Sequence, residues 1–254
     1  MDEPALTRRR ANAAAPAAGR IASLDAARGI AIVAMVVYHF CFDLRYFGLL
    51  HANFEYDVRW LAARTLILSS FLAIAGVSAV LTEQAHPGSR RWLAHVGVIA
   101  GAAVLVSAGS WLMFPQTWIW FGVLHGIAAS LVLARPFVGR PRAAALAGLA
   151  VIALGLGLSD AAFDHRTLGW LGFMTAKPLT EDYVPLFPWT GVLLLGIAAG
   201  HVLVRTQFAA IARLGRAPAV LGRLGRHSLA VYLVHQPILI GALWAALWVT
   251  QRLR

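Results

Sequence analysis

The sequence predicts an all-α integral membrane protein, a polytopic helical bundle with about seven transmembrane helices. Of its 254 residues, 59% are hydrophobic and only 13% are charged, and the mean hydropathy is +0.70. Apolar runs of about 20 residues recur along the chain, which is the length that a helix needs to cross roughly 30 Å of hydrocarbon. The chain length fits one such bundle and leaves no room for a large soluble domain.

Seven apolar runs are the predicted spans, and short polar or arginine-bearing loops separate them. The spans cover residues 29–48, 60–82, 92–113, 117–135, 142–160, 186–206 and 227–249. The arginine-rich segment 207–226 predicts a short helix at the membrane interface.

The N-terminal segment differs in composition from the rest. Residues 1–20 are rich in Ala, Pro and Arg, which predicts a disordered cytoplasmic tail ahead of a transmembrane domain over 21–254. A cleaved signal peptide is the alternative, but the first apolar run is too long for a signal's apolar core.

The distribution of basic residues predicts that the N-terminus lies in the cytoplasm and the C-terminus outside. Lys and Arg are enriched on the cytoplasmic side of membrane proteins. With this orientation the inside segments hold Arg8, Arg9, Arg10, Arg20, Arg90, Arg91, Arg135, Arg140, Arg142, Arg205, Arg213, Arg216, Arg223 and Arg226. The outside segments hold fewer: Arg45, Arg59, Arg166, Lys177, Arg252 and Arg254.

The net charge of +11 would also suit a nucleic-acid-binding protein. Because the basic residues follow the predicted topology, we expect anionic membrane lipids as partners and no nucleic acid. Cys41 is the single cysteine, and no predicted helix carries two histidines three or four residues apart. We therefore expect no metal site.

The stretch 24–44, which leads into and through most of the first span, carries four costly polar groups, Asp25, Arg28, His39 and Asp43. At 100° per residue, His39 lies about 20° from Arg28, and each aspartate lies about 60° from it. The four side chains thus form one stripe that leads from the inner mouth past the middle of the membrane. Ionisable groups at that depth are costly and usually functional.

Several segments resemble the transmembrane acyltransferases. The stretch "SLDAARGIAIVAMVVYHF" is similar to the Arg-x10-His pattern of the acyltransferase-3 family. Five other segments resemble more closely the bacterial relatives of the heparan-alpha-glucosaminide N-acetyltransferase catalytic domain. They are "YHFCFDLRYFG", "FLAIAGVS", "FGVLHGIA", "FPWTGVLLLGIAAG" and "HSLAVYLVHQP". In order, these segments cover most of residues 20–245.

The resemblance implies an acyl-CoA-dependent acyltransferase in the bacterial inner (plasma) membrane. It would move an acyl group, expected to be acetyl from acetyl-CoA, to a hydroxyl or amine of a carbohydrate or glycoconjugate, directly or through an acyl-histidine. It also hints at a homodimer. Arg28 is placed to bind the phosphates of CoA, with Asp25 beside it and Arg226 as a further candidate.

Two histidines compete for the role of general base. His39 lies on the stripe and matches the acyltransferase-3 pattern, and Asp43, one turn later, would orient its ring. In the heparan acetyltransferase itself an asparagine matches His39 and the catalytic histidine follows slightly later, where this chain has His51. Four more polar residues are candidates for contacting the acceptor or supporting the base: Arg64, His125, His235 and Gln236.

Two other functions fit parts of the pattern. Intramembrane His, Asp and Arg also serve proton-coupled transporters and flippases, although the sequence shows no inverted repeat of the kind that many secondary transporters carry. A purely structural membrane subunit would not need the polar stripe.

Overall fold

A computed structural model describes residues 21–88 and 90–252. The segment 1–20, predicted to be a tail, lies outside the described residues. The described chain is helical throughout, with one isolated bridge between Phe121 and Tyr183 and no longer strand. The predicted all-α fold is confirmed.

Nine α-helices follow one another in the described chain. They are α1 (Ala22–Tyr46), α2 (Val58–Ala85), α3 (Arg91–Met113), α4 (Val123–Ala134), α5 (Pro141–Gly157), α6 (Arg166–Gly169), α7 (Leu186–Arg205), α8 (Ala219–Arg226) and α9 (Ser228–Arg252). Short 3₁₀ helices cover Arg135–Phe137, Ala161–Phe163 and Ala209–Arg216.

Five of these helices are long and apolar enough to cross a membrane: α1, α2, α3, α7 and α9. The chain is therefore an integral membrane protein. The helices α4 and α5 are also apolar but have only 12 and 17 residues, which gives α5 a length of about 26 Å. Seven spans and a cytoplasmic N-terminus stay predictions.

The helix α4 begins later than the apolar run 117–135 predicts. Residues ahead of it form a loop because their backbone groups bond to the distant segment that precedes α7. The Val123 N–H donates to Asp182 Oδ2 at 2.7 Å, and the Val184 N–H donates to the Phe121 carbonyl at 3.1 Å. Hydropathy alone does not report such pairing.

The helix α7 is the centre of the bundle and packs against α2, α4 and α5. Small residues permit the close crossings, as in many membrane bundles. A Cβ at Gly196 would overlap the Ala73 backbone of α2, and a Cβ at Gly148 of α5 would lie 2.9 Å from the Gly191 carbonyl oxygen. A buried hydrogen bond of 2.7 Å between Ser130 and Thr190 joins α4 to α7.

The helix α1 contacts α2, α8 and α9, and this arrangement positions the polar residues of the stripe. Its first turns pack on α8 at two glycines, Gly29 and Gly225, where a Cβ would overlap the partner backbone. Its later turns meet α9. The apolar side chains Ile238, Trp244 and Trp248 of α9 point outward, as expected where a helix faces lipid.

Candidate functional site

The four residues of the predicted stripe on α1 all turn toward the protein interior. Asp25 and Asp43 are buried, with 7% and 3% of their surface exposed, and Arg28 and His39 are half-buried. They separate into two groups. Asp25 and Arg28 lie near the start of α1, whereas His39 and Asp43 lie about 16 Å or more further along it and face α9.

His39 is hydrogen-bonded to His235 of α9. The His39 Nδ1 and His235 Nε2 atoms are 2.9 Å apart, and the ring centroids are 4.9 Å apart. The other nitrogen of His235, Nδ1, lies 2.7 Å from the Tyr232 carbonyl oxygen. The structure thus brings together two of the histidines that the sequence selected.

The backbone carbonyl determines where the protons of the two neutral rings lie. A carbonyl oxygen only accepts, so His235 Nδ1 carries the hydrogen and donates to Tyr232. His235 Nε2 is then an acceptor, and His39 Nδ1 must donate to it. This leaves His39 Nε2 with a lone pair, and among the described residues that nitrogen has no hydrogen-bond partner.

Asp43 is paired with Gln236 and not with the His39 ring. The amide nitrogen of Gln236 donates to Asp43 Oδ1 at 2.8 Å. The contact expected between Asp43 and His39 is not formed, because His235 occupies the ring nitrogen that faces α9. The remaining oxygens, Asp43 Oδ2 and Gln236 Oε1, are buried without a hydrogen-bond partner.

Arg28 links α1 to α2. Its Nη1 lies 3.1 Å from Asp25 Oδ1 in an ion pair, and its Nη2 donates to Ser78 Oγ at 2.8 Å. Ser78 in turn donates to the Ile74 carbonyl. These contacts hold the guanidinium at the start of α1, where the sequence predicts binding of the donor.

A cavity of about 470 Å³ lies between the start of α1, the 3₁₀ helix Ala209–Arg216 and α8. Its lining includes Asp25, which is the partner of Arg28, together with Arg223 and Arg226. Both arginines are exposed. Of the three residues predicted to bind CoA, Asp25 and Arg226 therefore line this cavity. The third, Arg28, forms an ion pair with Asp25.

His51 lies apart from the histidine pair. It is exposed on the loop between α1 and α2 and lines a second cavity of about 460 Å³ with Arg45 and Asn53. Phe54, which is buried and packs on Tyr38 at 5.5 Å, anchors this loop. His51 makes no hydrogen bond to His39 or Asp43.

The two remaining candidates have different surroundings. His125 caps the start of α4: its Nδ1 accepts from the Gly122 N–H at 3.2 Å, and its Nε2 lies 3.2 Å from Ser107 Oγ. Arg64 is exposed on α2, one turn after Trp60, which contacts Tyr38 at 5.7 Å. Arg64 thus lies near Tyr38, the residue that directly precedes His39 in the sequence. The contacts of His125 stabilise the start of α4.

Sequence reasoning did not select the loop residues Lys177 and Asp182. Burial raises the pKa of Asp182, although hydrogen bonds from two backbone N–H groups and the charges of Lys177 and Arg64 oppose this. Loss of water around its ammonium group, and then the Arg64 charge, lower the pKa of Lys177. Asp182 also interacts electrostatically with Tyr232, next to the histidine pair.

Gln236 was among the candidates that the sequence offered, because it directly follows His235 in the last span. Lys177 and Asp182 had no such signal, because they lie in a loop outside the predicted spans. Within the part of the chain that the structure describes, no three His, Cys, Asp or Glu side chains come together as a metal site requires.

Comparison with known families adds to this geometry. The family model for heparan-alpha-glucosaminide N-acetyltransferase, catalytic, matches residues 20–237. The matched segment includes α1, the loop that carries Asp182 and the part of α9 that carries His235 and Gln236. The chain belongs to this family.

With its five apolar helices, the protein is therefore a membrane protein of an acetyltransferase family. No curated protein and no solved structure gave a significant match.

Proposed function

We propose that this protein transfers an acetyl group from acetyl-CoA to a hydroxyl or amine of a carbohydrate or glycoconjugate, with His39 as the general base. The observation that carries this proposal is the direction of the hydrogen bonds in the histidine pair. A neutral imidazole whose Nδ1–H is engaged and whose Nε2 lone pair has no partner is suited to accept a proton.

In the proposed reaction the acceptor oxygen or nitrogen attacks the carbonyl carbon of the thioester. His39 Nε2 takes the proton that the acceptor loses. When the tetrahedral intermediate collapses, the carbon–sulfur bond breaks and the same proton passes from Nε2 to the thiolate, which leaves as CoA. The histidine returns to its starting state.

His235 acts as a positioning residue in this mechanism. Its Nε2 accepts from His39 Nδ1 and so fixes both the tautomer and the ring orientation of the base, while the Tyr232 carbonyl fixes His235 in turn. A chain of partners behind a base raises its basicity and holds it in place, as outer partners do for metal-bound histidines. The spacing along the first helix predicted this support from Asp43.

The donor would bind at the cavity beside the start of α1. CoA is anionic through its phosphates, and guanidinium groups bind phosphate with paired hydrogen bonds. Arg226 supplies such a group at the cavity, and Arg28 supplies one next to its wall. The rise of α1 puts this site about 21 Å from His39, so the pantetheine arm would extend along α1.

With the predicted orientation the donor cavity opens to the cytoplasm of a bacterial cell, where acetyl-CoA is made, and the histidine pair lies toward the outer half of the inner membrane. Homodimer formation, implied by the family resemblance, is part of the same proposal.

Binding of radiolabelled acetyl-CoA to the purified full chain in nanodiscs tests the donor assignment. We expect saturable binding that weakens at least about tenfold in Arg28→Ala and Arg226→Ala and is kept in His39→Ala. Arg226 is exposed, so its variant tests the site even if Arg28→Ala misfolds.

Arg59→Ala is the matched control, because Arg59 is exposed at the far end of α2. A folded wild-type protein that binds no acetyl-CoA would contradict the proposal, and so would equal weakening by Arg59→Ala.

A further inference from the structure

We infer that Arg213 and Arg216 form a binding site for the headgroup phosphate of an anionic phospholipid. The two arginines lie on the 3₁₀ helix Ala209–Arg216, outside the lining of the donor cavity. The inference therefore goes beyond the proposed function and does not depend on it. Composition predicts anionic lipids only as general partners of the chain, whereas this site is one defined place on its surface.

A repeated tetrapeptide supplies the arginines. The sequence Arg-Leu-Gly-Arg occurs twice between α7 and α9, at residues 213–216 and 223–226. In both copies the two arginines are exposed and the leucine is half-buried. The glycine of each copy faces the start of α1: a Cβ at Gly215 would lie 3.8 Å from the α1 backbone, and a Cβ at Gly225 would overlap it. Both copies therefore pack on α1 and leave their arginines exposed.

The two copies differ in their relation to the donor cavity. Both arginines of the second copy, Arg223 and Arg226, line that cavity. From the first copy only the two middle residues, Leu214 and Gly215, contribute to the lining. The guanidinium groups of the first copy are thus available to a different ligand.

The geometry of the 3₁₀ helix brings these two guanidinium groups together. Residues three apart are eclipsed in such a helix and lie about 6 Å apart along its axis, so Arg213 and Arg216 share one face. Ile211 and Leu214 share another, and Ile211 packs against a cluster that contains the buried Leu24 and Phe208. The apolar face is therefore directed into the protein, and the arginine face is directed away from it.

This face lies where membrane-spanning helices end. The chain leaves α7 through a tight turn in which Gln207 and Phe208 have positive φ values of 49° and 60°. The 3₁₀ helix then contacts the start of α1, and α8 leads directly into α9. The ends of three spans thus meet near one level, where a bilayer has its headgroups. With the predicted orientation this is the cytoplasmic leaflet, whose anionic lipids attract basic segments next to the membrane.

The charge of the site has no counterpart in the protein. No Asp or Glu follows Asp182 in the sequence. Among the described residues, Arg213 and Arg216 form no ion pair and no side-chain hydrogen bond. A guanidinium binds phosphate through two parallel hydrogen bonds. An anionic phospholipid would offset this charge, whereas a zwitterionic headgroup brings a cation of its own.

The test uses the full chain in phosphatidylcholine nanodiscs in which phosphatidylglycerol replaces an increasing fraction of the lipid. Thermal unfolding is followed by tryptophan fluorescence, because a ligand that binds the folded state raises the midpoint. The measured quantity is the phosphatidylglycerol fraction that gives half of the maximal rise. The matched control is the double variant Arg90→Gln/Arg91→Gln, which removes the same charge from two exposed arginines of the connection between α2 and α3.

We expect the wild-type midpoint to rise with phosphatidylglycerol and to reach a plateau. In Arg213→Gln/Arg216→Gln the half-maximal fraction should increase at least about tenfold, since each arginine near an anionic surface contributes roughly fivefold in affinity. It should change less than about twofold in the control. The single variants Arg213→Gln and Arg216→Gln, each expected to shift the fraction about fivefold, keep the test decisive if the double variant does not fold.

A wild-type midpoint that does not rise, or that rises without a plateau, would overturn the inference. Equal shifts in the two double variants would also overturn it, because they would indicate attraction by the surface as a whole. Inorganic phosphate added to pure phosphatidylcholine nanodiscs separates a lipid from a soluble ligand, and general salt effects cancel between variants. A rise with phosphate that Arg213→Gln/Arg216→Gln abolishes would assign the site to a soluble phosphate compound and overturn the lipid assignment.

Discussion

His39 and His235 are 196 residues apart in the chain, yet their side chains share one hydrogen bond. The proposed acetyl transfer depends on the direction of that bond. A carbonyl oxygen at Tyr232 orients His235, and His235 orients His39, so that the basic nitrogen of His39 is Nε2. A base held by a neutral partner in this way does not need a carboxylate beside it.

The sequence alone predicts half of this arrangement. Helical periodicity relates Asp25, Arg28, His39 and Asp43 because they lie on one helix, and the structure turns all four inward. Periodicity cannot relate residues on different helices. The pairing of His39 with His235, and of Asp43 with Gln236, depends on how α1 packs against α9 and had to come from the structure.

Substituting His235 with phenylalanine tests its positioning role. His235→Phe keeps an aromatic ring but cannot accept from His39 Nδ1, so we expect kcat to fall roughly 10- to 100-fold with little change in the KM for acetyl-CoA. Acetyl transfer at varied donor concentration measures both constants. His201→Phe is the control, since His201 bonds only to the distant Val138 carbonyl. An unchanged kcat in His235→Phe would contradict the role.

At the scale of elements, the contact between α1 and α8 forms part of the cavity proposed for the donor. The backbones cross at Gly29 and Gly225, where a side chain would overlap the facing backbone. The arginine-rich segment was predicted as an interfacial helix, and it is helical in two pieces, Ala209–Arg216 and Ala219–Arg226. Its close packing on α1 was not apparent from its composition.

Substitution of Gly225 with alanine should loosen this contact. The added Cβ meets the Asp25 backbone, so we expect a loss of stability of about 1–3 kcal/mol, together with weaker acetyl-CoA binding. Thermal unfolding and donor binding in nanodiscs measure both. In Gly222→Ala, one turn earlier on α8, the nearest atom to the new Cβ is the mobile end of Arg226 at 3.6 Å. If Gly225→Ala and Gly222→Ala were equally stable, the close contact between Gly225 and the Asp25 backbone would be excluded.

The loop before α7 is attached to α4 through Asp182, and its stability should depend on pH. Burial raises the pKa of Asp182, so the folded state binds that proton more tightly than the unfolded chain does. The stabilisation is present at low pH and is lost as the pH rises through the raised pKa. As the pH falls through the raised pKa toward the ordinary carboxyl pKa, the unfolding midpoint of the wild type should therefore rise relative to that of Asp182→Asn.

Asp164 provides a contrast of opposite sign in the same loop. Hydrogen bonds from the side chain and backbone of Thr175 lower the pKa of Asp164. Its contribution is present above the ordinary carboxyl pKa and is lost as the pH falls through the lowered value. Relative to Asp164→Asn, the wild type should thus lose stability in strong acid. The same direction of change for both pairs would contradict these assignments.

At the scale of the whole molecule, the open question of topology concerns α4 and α5. Composition predicts seven spans, because apolar runs alone were counted. The structure shows five long helices and two shorter ones, since residues 117–122 bond to the segment before α7 and do not extend α4. Five spans and seven spans both leave the two ends of the chain on the predicted sides. The α4–α5 connection lies inside if α4 and α5 span the membrane, and outside if they do not.

Labelling of Gly139→Cys in a Cys41→Ser background decides between the topologies. Gly139 is exposed between α4 and α5, and a side chain there meets no other atom. If seven helices span, a membrane-impermeant maleimide should label Gly139→Cys only after the cells are permeabilised. It should label Asn53→Cys in intact cells. Labelling of Gly139→Cys in intact cells would contradict seven spans.

The role of His39 as the base of an acetyl transfer can be measured directly. Radiolabelled acetyl-CoA is supplied to membranes that contain the wild type, His39→Ala or His51→Ala, and label is measured in the extracted carbohydrate and glycoconjugate fraction. We expect transfer by the wild type and by His51→Ala, and a loss of about 100-fold or more in His39→Ala. Transfer that survives in His39→Ala and is lost in His51→Ala would contradict this role of His39.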